Sequence, residues 1–211
     1  MERKATSGRR RGRPPKGAGD YGETRESLVR AGLEVLTEKG LSAAGLDEIL
    51  RRVAVPKGSF YHYFSSKEAF GLELVERYNA YFSRKLDRFL SDPSLSPLQG
   101  LKAFIADAAS GMARHDFRRG CLVGNLGQEM GALPEPFRAR LMAVFADWQV
   151  RVEACLEAAR KAGEIPQNAD CRRLAEVFWI GWEGAVLRAK LEQNAAPLEA
   201  YAEFFLAGIA R

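Results

Sequence analysis

An all-α fold of about nine helices is what this chain predicts, and three observations predict it. Apolar residues recur at helical spacing, three or four positions apart, and no alternating strand pattern persists anywhere. Breaks at Pro56, Pro93, Pro97 and Pro134 divide these periodic runs. Hydrophobic residues make up 46% and charged residues 28% of 211 positions, a soluble globular composition long enough for one or two domains with a sizeable core. The most apolar segment, 177–187, is interrupted by Glu183, so no transmembrane helix and no membrane partner is expected. The basic N-terminus lacks the apolar stretch of a signal peptide. Cys121, Cys155 and Cys171 are too scattered for a disulfide framework and lack metal-ligand spacing. They point to a reducing, cytoplasmic location, with no metal and no cofactor expected.

Residues 1–20 carry seven basic and two acidic side chains, which accounts for the whole net charge of +5. Rich in Gly and Pro and poor in apolar residues, this stretch reads as a disordered basic arm. Within it, Arg11-Gly12-Arg13-Pro14 matches the core of an AT-hook, in which arginines beside a glycine lie in a narrow A·T minor groove. A plain solvated basic arm is the alternative.

The spacing then predicts a first amphipathic helix over 23–39, buried through Leu28, Ala31, Leu33, Val35 and Leu36 and ended by Gly40. Thr24, near its start, either caps it or touches a phosphate. Leu46, Ile49, Leu50 and Val53 follow at i, i+3, i+4 and i+7, one face of a second helix. Pro56 breaks that period and suits the first turn of a third. Phe60 and Phe64, one turn apart, anchor this short helix, leaving Lys57, Gly58, Ser59, Tyr61, His62 and Tyr63 on other faces. Two short helices about a tight turn are what a helix-turn-helix needs to enter a major groove. Gly58 allows close backbone approach, Lys57 and Ser59 suit base edges or phosphates, and Tyr61, His62, Tyr63 and Lys67 suit the phosphate backbone. A helical hairpin with a solvated polar face has the same spacing.

The segment 55–67, VPKGSFYHYFSSK, resembles the second half of the DNA-binding domain of TetR-family repressors. The similarity extends upstream through Leu28, Ala31, Leu33, Gly40, Leu41 and Ile49. Two positions depart from the pattern. Ala54 stands where a turn glycine is usual, at a cost of about 1 kcal/mol if its φ is positive. Gly45 stands where a capping Thr is frequent, leaving only a backbone N–H for a phosphate. The resemblance implies a DNA-binding domain at 21–67, a helical ligand-binding and dimerisation domain at 68–211, and a double-stranded DNA operator as partner.

Ser66 opens a longer helix running to about residue 90, which ties the DNA module to everything downstream. Further helices are read over 98–115, 121–130, 136–163, 170–192 and 197–209. The last two carry surplus apolar residues, and Gly181, Ala185 and Ala189 recur every four positions, a line along which another helix can approach. Internal packing is one use of these faces. The other, implied by the resemblance, is a homodimer interface including Trp179, Ala185, Phe204, Phe205 and Ile209. Two recognition helices then read a pseudo-palindrome.

Residues 120–130, GCLVGNLGQEM, with 179–185, WIGWEGA, and Arg188-Ala189-Lys190 resemble the branch of TetR regulators that answer acrylate and related electrophiles. The implied inducer is a small α,β-unsaturated acid, its thioester or another reactive carbonyl. The residues themselves allow this. Cys121 begins a helix beside Arg118 and Arg119, a setting that favours thiolate. Lys190 is a distant partner that would lower the thiol pKa or pair with an acidic ligand. A small buried hydrophobe is the alternative for Cys121. Asn125, Gln128, Trp182, Glu183 and Arg188 lie amid apolar neighbours, where polar groups must be paired or face a cavity. Trp148 joins them as a candidate wall of that pocket. The alternative is a buried polar network. The chain therefore reads as a ligand-released transcriptional repressor and not as an enzyme. The rivals are an architectural A·T-tract protein and a small-molecule enzyme with a cysteine nucleophile.

Overall fold

The computed structural model describes residues 18–210, with side chains from Tyr21 onward. Arg11 and Arg13 lie outside the described residues. Nine helices and no strand are found among those described: α1 (Ala18–Lys39), α2 (Leu46–Arg52), α3 (Lys57–Phe60), α4 (Lys67–Leu90), α5 (Pro97–Ala113), α6 (Leu122–Gln128), α7 (Glu135–Lys161), α8 (Cys171–Glu192) and α9 (Ala196–Ile209). An N-terminal helix-turn-helix is followed by a C-terminal helical domain, as expected.

The first helix starts five residues before its predicted limit, at Ala18. Two glycines hide this turn from a propensity reading, and a tertiary contact compensates for them. Tyr21 stacks on Tyr63 at 4.6 Å and donates from its hydroxyl to the His62 carbonyl at 2.8 Å. Thr24 consequently lies inside α1 and cannot cap it. Gly40, at φ +78°, ends α1 as predicted.

Gly45 is the N-cap of α2 and offers no side-chain bond. At the other end the Val55 N–H bonds the Leu50 carbonyl at 3.0 Å and the Ala54 N–H bonds the Arg51 carbonyl at 3.4 Å. This is a Schellman ending, which puts Ala54 at the left-handed position, φ +53°. Ala54→Gly is expected to stabilise the protein by about 1 kcal/mol, or ~2–4 °C in Tm. An unchanged or lower thermal midpoint would contradict that strain.

Phe60 is fully buried against Phe64 and Phe70, with ring centroids 5.4 Å from each, so α3 is pinned onto the start of α4. Ser66 caps α4 by accepting from the Ala69 N–H at 3.0 Å. From there α4 runs between α1 and the body, packing on α5 and α7; α7 packs on α8, and α8 on α9. The body is centred on aromatic rings: Phe82 and Trp148 at 4.5 Å, Trp148 and Trp179 at 5.0 Å. The Trp148 indole N–H donates to Asn79 at 2.8 Å, which lets this large ring be buried whole.

Candidate DNA-reading face and ligand cavity

Lys57, Gly58, Tyr61 and His62 are exposed together on α3 and the turn after it. A Cβ at Gly58 would meet nothing within 4 Å, so this surface is open to close approach. Lys57 pairs loosely with Asp47 at 3.2 Å, both well exposed, an ion pair that costs little to exchange for phosphate. Ser59 and Tyr63 are half-buried, Tyr63 through its stack on Tyr21. Lys67 departs from its expected place at a phosphate. Its ammonium donates to the Leu41 and Ala44 carbonyls at 2.9 and 2.8 Å, tying α4 to the α1–α2 corner. A lysine in the first turn of α4 has these orphan carbonyls in reach, and they hold it.

A cavity of about 410 Å³ lies where α1 meets the body. Arg30, Leu33, Glu34 and Thr37 of α1 form one wall. Tyr78, Tyr81, Phe82 and Lys85 of α4 form a second, Ala108 and Met112 of α5 a third, and Trp182, Glu183 and Val186 of α8 a fourth. His115, Arg119, Gly120 and Cys121 close it from the segment leading into α6. Size and a mostly apolar lining with a few convergent polar groups suit a small organic ligand.

Three polar groups meet in this cavity. Tyr78, Cys121 and Glu183 line it side by side, and a Cβ built at Gly124 would lie 2.0 Å from the Glu183 Oε2 and 3.6 Å from the Cys121 Cβ. Burial pushes the Glu183 carboxyl up to about 7, with the neighbouring Cys121 thiol working the other way. Burial, then the Glu183 charge, push the Cys121 thiol well above its usual range, outweighing the Gly124 N–H that donates to the sulfur at 3.4 Å. The expectation of a favoured thiolate is thereby reversed. Cys121 does cap α6, but Arg119 turns away to Glu38 at 3.0 Å and Glu34 at 3.7 Å, and Arg118 is exposed. Cys155 and Cys171 are buried and free, and burial raises both thiols, Cys155 to about 12.

The other predicted ligand residues disperse. Asn125 and Lys190 bind α1 instead of lining the cavity. Asn125 donates to the Leu36 and Thr37 carbonyls at 3.1 and 2.8 Å, and Lys190 to the Glu38 carbonyl at 2.7 Å. Lys190 is too committed to these carbonyls to serve Cys121, and burial lowers its pKa. Glu129 completes the grip, accepting from the Leu41 and Ser42 N–H groups at 3.0 Å each. Sequence reading missed Glu129, Tyr78 and this clasp, because each partner is remote in the chain. Gln128 is exposed, donating to the Gly124 carbonyl, and Arg188 is exposed, paired with Glu192 at 2.5 Å. Trp148 belongs to the aromatic core and does not reach the cavity.

The proposed interface residues also need correction. Trp179, Ala185, Phe205 and Ile209 are buried within the single chain, and only Phe204 is exposed. The Gly181–Ala185–Ala189 row receives α9 of the same chain: a Cβ at Gly181 would fall 2.1 Å from the Tyr201 ring. Outward apolar residues are instead Val177, Ile180 and Leu191 on α8 and Phe204 on α9. No helix among the described residues is long and apolar enough to cross a membrane, and no cluster of metal-binding side chains occurs among them.

Comparison with known proteins agrees with this architecture. Residues 28–74 match the model of bacterial regulatory proteins of the tetR family, and residues 97–205 match the tetracyclin repressor-like C-terminal domain. The transcriptional regulator AcuR of Cereibacter sphaeroides is 57% identical over 196 residues, 93% of this chain and 89% of that protein. The repressor NemR of Escherichia coli K12 is 31% identical over 177 residues, 84% of this chain and 89% of that one. A crystal structure of a regulatory protein TetR from Rhodobacter sphaeroides superposes with a TM-score of 0.87 at 55% identity, covering 89% of this chain and 99% of that one. The reduced form of E. coli NemR superposes at 0.81 with 30% identity, covering 90% and 97%. With a helix-turn-helix at its N-terminus, a ligand-sized cavity behind it, each half matched to a TetR model and a relative 57% identical across most of both chains, this chain belongs to the TetR family of transcriptional regulators.

Proposed function

We propose that this protein is a dimeric one-component repressor, released from a pseudo-palindromic operator by an acrylate-like or electrophilic inducer bound in the cavity. One observation carries the reading: α1, which supports the helix-turn-helix, is itself a wall of the cavity. A ligand seated there presses on α1 and α4 together, and the α6 clasp on the end of α1 passes the shift to α2 and α3. In the dimer this alters the separation of the two recognition helices. A coupling of about 1–3 kcal/mol changes operator affinity ~5–150-fold.

Lys57, Gly58, Tyr61 and His62 serve the major groove in this reading, and Arg11 and Arg13 an adjacent minor groove. The dimer forms through α8 and α9, where Val177, Ile180, Leu191 and Phe204 are otherwise exposed. The family is one of regulators, which favours release of DNA over turnover.

The test is titration of a footprinted fragment from the region upstream of the gene, with and without acrylate, acrylamide and methyl acrylate. The expected result is affinity lowered within the range above by at least one of them. A normal response from Cys121→Ser would exclude covalent sensing and leave a non-covalent inducer. No change in DNA affinity with any compound would remove the sensor assignment.

A further inference from the structure

We infer that the cavity takes a diffusible α,β-unsaturated acyl thioester end-on, with the acyl group inside and the phosphate of its carrier arm held at the rim by Arg30 and Arg114. This rests on the electrophile-sensing reading above and deepens it, by choosing among the acid, thioester and other carbonyl compounds which that reading admits.

The cavity has two unlike ends. Phe82, Met112, Cys121, Trp182 and Val186 are buried and make a mostly apolar interior. Arg30, Tyr81, Arg114 and His115 line the same space and are exposed, so they mark its opening to solvent. Arg30 comes from α1, Tyr81 from α4, and Arg114 and His115 from the turn after α5. The Arg114 guanidinium lies against Gly111, itself part of the lining: its Nη2 stands 3.5 Å from where a Cβ at Gly111 would be.

The other cations of the lining are already neutralised. Lys85 pairs with Asp107 at 2.5 Å and Arg119 with Glu38 at 3.0 Å. Glu34, the acid of the α1 wall, faces Arg52 at 3.4 Å and Arg119 at 3.7 Å. Arg30 and Arg114 enter no ion pair among the described residues. Two uncompensated guanidinium groups at one opening favour an anion there, and their planar forks of donors match phosphate. The inner end offers no such cation, and its own charged group, Glu183, lies beside Cys121.

Three ligand chemistries meet these ends differently. A short unsaturated acid carries its carboxylate next to the double bond. Held by the arginines, it leaves the interior empty; pushed inside, it buries its charge among apolar side chains, away from Arg30 and Arg114. A neutral aldehyde, amide or ester fits the interior but leaves the arginines unused. A thioester serves both ends at once, because a long neutral arm separates its unsaturated carbonyl from its phosphate. The exposed ring of Tyr81 gives that arm a flat apolar surface at the opening. A volume of about 410 Å³ also suits a ligand much larger than a short acid.

The experiment is isothermal titration of the purified full-length protein, without DNA, with crotonyl-coenzyme A, free coenzyme A, crotonyl-N-acetylcysteamine and sodium acrylate. Crotonyl-N-acetylcysteamine is the same unsaturated thioester without a phosphate. Crotonyl-coenzyme A is expected to bind at least ~10-fold more tightly than each of the others. Arg30→Gln and Arg114→Gln should each weaken it ~3–10-fold and the double variant ~10–100-fold, while the neutral thioester changes less than ~2-fold. Arg173→Gln removes an exposed charge outside the cavity and should leave every affinity unchanged.

No binding of crotonyl-coenzyme A, equal affinity for the neutral thioester or for acrylate, or an equal effect of the arginine variants on both thioesters overturns the proposal. Free coenzyme A binding as tightly as its crotonyl ester overturns it too, since phosphate would then be held with no acyl group inside. Operator release is scored separately. Arginine-dependent thioester binding that leaves DNA affinity intact keeps this site and removes the sensor reading. Release by acrylate or a neutral carbonyl, with no thioester binding, does the reverse.

Discussion

Phe60→Ala is expected to loosen the groove-reading helices by about 3–5 kcal/mol, the usual cost of deleting a fully buried phenyl ring. Phe60 is the one wholly buried residue of the four in α3, and it touches Phe64 and Phe70 at once. Without it α3 keeps no side chain that fixes its angle to α4. Urea denaturation should show the loss in stability, and hydrogen exchange should show faster opening of α2 and α3 than of α7 and α8. A cost below about 1 kcal/mol would mean that α3 is held by something other than this aromatic contact.

The second large effect is a dependence of stability on pH that disappears in Glu183→Gln. Its folded-state carboxyl is raised to about 7 from an ordinary 4.5. Between those values the folded protein binds the extra proton and the unfolded chain does not. The derivative of unfolding free energy with pH is then negative, so stability falls as pH rises from about 4.5 to about 7. The total is at most about 3 kcal/mol at ~1.4 kcal/mol per pH unit. Glu183→Gln should match wild type below pH ~4.5 and exceed it by up to ~3 kcal/mol at pH 8. Denaturant titrations at both pH values check this. A variant that is less stable than wild type at pH 8 would mean that the carboxylate has a stabilising partner.

Local signals carried much of the fold. Pro56 with Phe60 and Phe64, the Ser66 cap and Gly40 each act within a few residues of themselves, so their structural consequence was readable in place. The helix spacing gave the order of elements for the same reason. It gave no side, however. Trp179, Phe205 and the Gly181–Ala185–Ala189 row are apolar or small whether the helix beside them belongs to this chain or to another, and Tyr201 decides the matter from α9. Charge was similarly deceptive at Cys121. Arg118 and Arg119 adjoin it in sequence but serve solvent and Glu38, whereas Glu183 and Tyr78 come from distant helices and set the thiol's chemistry. Lys67 and Lys190 looked like free cations because their carbonyl partners carry no sequence signature.

The sharing of one cavity wall with α1 bears on how this regulator can be retargeted. Under the proposed sensing role, substitutions at Leu33 or Thr37 would alter selectivity and the bearing of the groove-reading helices in a single stroke, so selection for a new inducer would drag the operator response with it. Ala108, Met112 and Val186 face the same space from α5 and α8, which do not carry the DNA module. Biosensor libraries confined to those three positions would explore ligand size and shape while the resting affinity for DNA stays put.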